Sequence, residues 1–270
     1  MSWNHLSMAA GKTAAAGRFV RWLLASVAAL TILTASTRAE PIQESTDSFT
    51  AGGKSIRVER FEPKEPGKHP TLVLLHGSDG LTNHGGSFRY CARWAAQKGY
   101  LVLLVHYFDR TQTKLADLKT IKEYFRTWMD TISAAVAYAR KQEKVDGKRV
   151  GLVGFSLGAF LALSAAAQAD LGIAAVVDFG GGLPQEVRKE VKSFPPTLIL
   201  HGGVDEKVPV TEAYALRKWL KSRKAQFEMK IYEDEGHAFE TVAAWNACQQ
   251  ALAFLERHLQ AKPAVASKNP

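Results

Sequence analysis

The chain has 270 residues, 46 % of them apolar, enough to bury one sizeable core and short for two. Its formal net charge of +9 becomes +5 when residues 1–39, which carry four basic and no acidic side chains, are set apart; so small a surplus, without a basic groove interleaved with aromatics, gives no support to a nucleic-acid partner. Two cysteines, Cys91 and Cys248, exclude a disulfide scaffold and leave open either a single bridge or two buried thiols.

At the N-terminus, Lys12, Arg18 and Arg21 precede an apolar run at 22–35, and Thr37-Arg38-Ala39 supplies small residues at −3 and −1 of a cut before Glu40. Residues 1–39 therefore read as a secretory signal peptide, and the mature chain as exported to a periplasm or the medium. An uncleaved anchor is the rival reading. The run is shorter than the roughly 20 apolar residues of a spanning helix and is interrupted by Ser26, Thr31 and Thr34. No stable membrane span is expected after cleavage.

Residues 49–61 alternate around Gly52-Gly53, the pattern of an antiparallel hairpin at a sheet edge. Buried strands are predicted at 71–76, 100–107, 149–153, 174–179 and 197–201, with a last alternating strand at 226–232. Helical periodicity falls between them at 88–98, 115–141, 157–168, 211–222 and 241–260. Continuous apolar strands separated by helices predict an α/β fold, a mostly parallel central sheet with helices on both faces. Ligands then bind beyond the C-terminal strand ends. The domain is taken as 40–262, with 263–270 a small, polar, proline-bearing tail expected to be disordered. The basic run Arg217-Lys218-Trp219-Leu220-Lys221-Ser222-Arg223-Lys224 reads as the solvated face of an amphipathic helix.

The stretch Gly154-Phe155-Ser156-Leu157-Gly158 lies where the third buried strand becomes an alanine-rich helix. A reversal that tight forces its central residue into a strained conformation. Glycines on either side let strand and helix close around it and lift the Ser156 hydroxyl clear of the sheet. The helix start directs its amides and positive dipole end at the same place, which makes the Leu157 N–H a candidate oxyanion donor.

A serine nucleophile needs a base, and the base needs an acid to fix its tautomer. Of the histidines after Ser156, His258 lies deep in the last helix beside Arg257 and is expected to face solvent. His201 ends an apolar strand and reads as a structural hydrogen-bonding residue, like His76. His237, in the loop Glu233-Asp234-Glu235-Gly236-His237, is the expected base. Asp205, in the turn His201-Gly202-Gly203-Val204-Asp205, is the expected acid. Asp178 competes from one strand earlier, and Glu206 is expected to face solvent. Gly77-Ser78-Asp79-Gly80 after the first buried strand should give the second oxyanion donor, with the Ser78 N–H ahead of Asp79.

These motifs, with His76-Gly77-Ser78-Asp79-Gly80, Val208-Pro209 and Gly236-His237-Ala238-Phe239, resemble the dienelactone hydrolase family of α/β-hydrolases over nearly all of residues 50–260. The resemblance implies an α/β-hydrolase fold without a large lid and a hydrolase of small esters, lactones or thioesters working through an acyl-enzyme on Ser156, His237 and Asp205. One departure stands out: dienelactone hydrolases proper carry cysteine in the elbow, where this chain has Ser156. The family's carboxylate-binding arginines have no match in this chain; Arg110 is a candidate for the site rim, with a surface-loop arginine the alternative, and Asp79 and Tyr107 are the further candidate substrate contacts, with His84 and Phe108 on the rim by position. No metal or organic cofactor is required, and His/Cys/carboxylate clusters at metal-ligand spacing are absent from the sequence. The competing functions are a serine exopeptidase or oligopeptidase, and a non-catalytic exported binding protein on the same fold.

Overall fold

The computed structural model describes residues 42–259 apart from Glu190 and Lys192, so the signal-peptide and tail expectations lie outside the described residues. Eight strands form one sheet in the order β1-β2-β4-β3-β5-β6-β7-β8. These are β1 (Ile42–Ala51), β2 (Lys54–Pro63), β3 (His69–Leu75), β4 (Leu101–Val105), β5 (Val145–Phe155), β6 (Ala175–Phe179), β7 (Thr197–Gly202) and β8 (Phe227–Tyr232). β1 and β2 pair antiparallel over ten positions, from Ile42 opposite Pro63 to Ala51 opposite Lys54, and β2 is antiparallel to β4. Every other pairing is parallel.

The edge hairpin turns on Gly52 and Gly53 at φ +47° and +76°, the two positive values of a turn whose twist matches its strands. It is longer than the alternation at 49–61 indicated, because the solvent-facing residues 43–48 have no hydrophobic period to read.

Among the described residues five α-helices cover the sheet: α1 (Gly85–Ala96), α2 (Leu118–Arg140), α3 (Leu157–Ala166), α4 (Thr211–Ser222) and α5 (Thr241–Leu259). Alternation along the strands divides the core in two. Val73, Leu75, Leu101, Leu103 and Val105 face α2, α3 and α4. Leu72, Leu74, Val102 and Leu104 face α1 and α5. All ten residues of α3 are buried, which is why its sequence is apolar all round instead of striped. In α4 the striping is clear: Leu216, Trp219 and Leu220 are buried, while Arg217, Lys218 and Lys221, with Arg223 and Lys224 just past its end, are exposed. His258, expected at the surface, is half-buried with its ring 4.5 Å from that of Phe254.

Cys91 on α1 and Cys248 on α5 share one face of the sheet with Sγ atoms 3.4 Å apart and are free thiols. No helix among the described residues is long and apolar enough to cross a membrane.

Candidate active site

β5 ends at Phe155 and α3 begins at Leu157, so Ser156 alone makes the reversal, at φ +54° and ψ −121°. An L-residue pays for that conformation, and the surrounding bonds impose it. The Ser156 N–H donates to Phe179 O at 2.8 Å, and the Ser156 carbonyl accepts from Ala159 and Phe160 at 2.9 and 3.1 Å. The flanking glycines are sterically required. A Cβ on Gly154 would stand 2.2 Å from Gly158 O, and one on Gly158 would stand 2.4 Å from Leu75 O. The start of α3 is thereby pressed against the end of β3, where the 77–80 loop leaves.

The loops after β7 and β8 meet backbone to backbone. A Cβ on Gly202 would lie 2.2 Å from Gly236 O, and one on Gly203 would lie 2.5 Å from Glu233 O. That packing brings Asp205 and His237 together over the elbow. His237 Nε2 lies 2.8 Å from Ser156 Oγ, and His237 Nδ1 lies 2.8 Å from Asp205 Oδ2. An ionised carboxylate only accepts, so Nδ1 carries the proton and the Nε2 lone pair faces the serine hydroxyl.

Asp205 is itself fixed. Its Oδ1 accepts from the Lys207 and Val208 amides at 2.9 Å each. Burial disfavours its charge, but hydrogen bonds from His201 and His237 outweigh that and hold the carboxyl well below the usual carboxylate range. His201 Nε2 is 3.4 Å from Asp205 Oδ2 and 2.8 Å from Val208 O, which can only accept, so this nitrogen is the protonated one. His201, read from the sequence as a structural hydrogen-bonding residue, is one, and its four-residue spacing from Asp205 is the signal that places it in this cluster.

The competing acid, Asp178, is fully buried and accepts from the Gly181 N–H at 2.9 Å. Its pKa is pushed up to about 7 by burial, and the carboxyl that reaches His237 is that of Asp205. Glu206 is exposed.

The 77–80 loop closes on itself, Gly80 N–H to Gly77 O at 3.1 Å, and is tied down by the Ala116 N–H donating to Ser78 O at 2.8 Å. Leu157 opens α3, so its N–H has no helical carbonyl to bond. Asp79 Oδ2 pairs with His84 Nδ1 at 2.7 Å. That hydrogen bond raises the His84 pKa, and it lowers that of Asp79 despite partial burial.

Two expected substrate contacts are placed elsewhere. Tyr107 is fully buried, its hydroxyl donating to His76 O at 2.7 Å and its ring stacked on His76 at 4.1 Å. It supports the base of the loop instead of lining a rim. Arg110 reaches back to the β1–β2 turn, where it donates to Ala51 O at 2.6 Å and to Gly52 O. Both follow the end of β4 in sequence; the short 3₁₀ turn Tyr107–Arg110 sends one side chain inward and the other to the hairpin. Among the described residues, no group of three His, Cys, Asp or Glu side chains could hold a metal ion.

The family model of the dienelactone hydrolases matches residues 56–257. The chain belongs to the dienelactone hydrolase family. It is thus a hydrolase of the carboxylic-ester type, acting on esters or lactones. Among curated relatives of this dienelactone hydrolase family member is a carboxymethylenebutenolidase of Pseudomonas putida, 27 % identical over 224 residues, covering 76 % of this chain and 91 % of the relative. Solved structures share the fold. The dienelactone hydrolase-like promiscuous phosphotriesterase P91 from metagenomic libraries superposes with a TM-score of 0.70 at 19 % identity, covering 81 % of this chain and 99 % of its own. An acylaminoacyl peptidase of Pyrococcus horikoshii gives 0.69 at 16 %, covering 84 % of this chain and 44 % of its own.

Proposed function

We propose that this family member is an exported serine hydrolase that cleaves small esters, lactones or thioesters through an acyl-enzyme. The reading is carried by the two 2.8 Å contacts that link Ser156, His237 and Asp205 on a strained elbow. His237 Nε2 takes the Ser156 proton as Oγ attacks the carbonyl carbon, and Asp205 holds the imidazole in the tautomer that can do so. The Leu157 and Ser78 amides stabilise the oxyanion. The alcohol, or thiol, leaves with the proton from His237. Water, deprotonated by the same nitrogen, then attacks the acyl-enzyme and releases the acid. Cys91 and Cys248, on α1 and α5, are free thiols in hydrogen-bond contact with each other and not with His237 or Asp205, which supports Ser156 as the nucleophile.

A fluorophosphonate probe tests this reading. The account expects one adduct, located by mass spectrometry on Ser156, and ester turnover well above turnover of an aminoacyl anilide. Faster cleavage of the anilide makes the chain a peptidase; no adduct makes it a binding protein on the same fold. Export rests on residues 1–39, and expression with its own leader should yield exported protein beginning at Glu40.

A further inference from the structure

Between the sheet and the pair α1 and α5 lies a cavity of about 240 Å³. It opens to solvent on one side, and a concave, mostly apolar space of this kind is where a small-molecule ligand binds. Small side chains create it: Ala92 and Ala95 on α1, and Ala244 and Ala251 on α5, line it where larger residues would close it. Opposite them stand Leu72, Leu74 and Val102 of the sheet.

One end of the cavity adjoins the candidate active site, reaching His237 and Gly180 but not Ser156 itself. Phe155, the residue before Ser156, and His237 both line it, with ring centroids 5.1 Å apart. Gly180 is there too, where an added Cβ would sit 3.7 Å from both Asp205 Oδ2 and His237. The hydrogen-bonding side chains that line it are His84, Ser87, Trp94 and His237, with the Cys91 and Cys248 thiols, and no Asp, Glu, Lys or Arg is among its lining residues. A charged ligand would be desolvated there without any of those four to pair with. A hydrocarbon chain would not.

We propose that this cavity holds an alkyl chain of the substrate, so that the preferred substrates are esters carrying a chain of about ten carbons rather than short polar lactones. The proposal rests on the serine-hydrolase reading above. The chain length follows from volume: an apolar cavity of about 150 Å³ holds benzene, with six carbons, so 240 Å³ scales to about ten. The chain leaves the reacting carbon past Phe155 and His237 and runs between the alanines of α1 and α5.

Two substrate series test it, since the chain can belong to the acid or the alcohol: p-nitrophenyl esters of acids with two to fourteen carbons, and acetate esters of alcohols of the same lengths. In one series kcat/KM should climb by about fourfold per methylene, the value for full burial, and level off near ten carbons. Ala251→Phe, which fills the cavity from α5, should cut the ratio of ten-carbon to two-carbon kcat/KM at least thirtyfold. Ala92→Leu provides the same readout from α1 if the first variant does not fold. Flat profiles in both series, with Ser156 still labelled by the fluorophosphonate, overturn the cavity's role and leave the serine mechanism standing. If Ser156 does not label, the mechanism fails, and calorimetry with decanoate decides the cavity. Binding that Ala251→Phe or Ala92→Leu abolishes supports it, and no binding overturns it.

Discussion

Replacing Gly158 with alanine probes the elbow through one methyl group. The added Cβ would stand 2.4 Å from Leu75 O and 2.5 Å from His76 O, whereas ordinary contact begins near 3.4 Å. The overlap is thus about 1 Å against two backbone carbonyls, neither of which is the end of a flexible side chain. Either α3 lifts away from β3 or the end of β3 moves, and both displace the Leu157 amide relative to the 77–80 loop. A misplacement of about 1 Å costs roughly a hundredfold in rate, while overpacking a tight site costs about 1–3 kcal/mol of stability. Gly158→Ala should therefore fold, with a lowered urea midpoint, and lose about a hundredfold in kcat on p-nitrophenyl acetate with a smaller change in KM. A variant with wild-type kcat would refute the claim that this close approach sets the oxyanion geometry.

Asp205→Asn keeps the shape but lets the side-chain amide present a donor to His237, favouring the wrong tautomer; kcat should fall by roughly 10⁴ with the fold intact by circular dichroism. Asp178→Asn should act on stability alone. Because burial raises the Asp178 pKa to about 7, the folded chain keeps a proton there that the unfolded chain releases above about pH 4, so the contribution of Asp178 to wild-type stability declines as pH climbs from about 4 toward 7 and levels above that. Urea midpoints of variant and wild type should coincide near pH 4 and separate in the variant's favour by pH 8, and a constant difference would contradict the assignment. Treating the protein with diamide should join Cys91 to Cys248, whose sulfurs are 3.4 Å apart, lowering the mass by two hydrogens and raising stability by about 2–4 kcal/mol; two alkylatable thiols surviving the oxidant would show that α1 and α5 hold them apart.

The sheet and helices were legible because buried parallel strands are continuous apolar runs and their covering helices carry a period, as at β4 and α4. The elbow was legible for a different reason: Gly154 and Gly158 answer close backbone approaches that only glycine tolerates. Side-chain direction beyond a strand end left no such mark. Tyr107 and Arg110 are three residues apart after β4, yet one is sealed beneath His76 and the other bonds a turn that lies 58 residues away from it in sequence. The alkyl cavity was invisible in the same way, since its alanines look like ordinary helix formers until α1 and α5, far apart in sequence, are set side by side.

Turnover of p-nitrophenyl acetate by the purified protein and by Ser156→Ala, prepared identically and shown to fold alike, tests the central claim most directly. The account predicts hydrolysis by the wild type that falls to background in the alanine protein. Equal rates in the two would contradict it, because an ester cleaved without the Ser156 hydroxyl is not cleaved through this elbow.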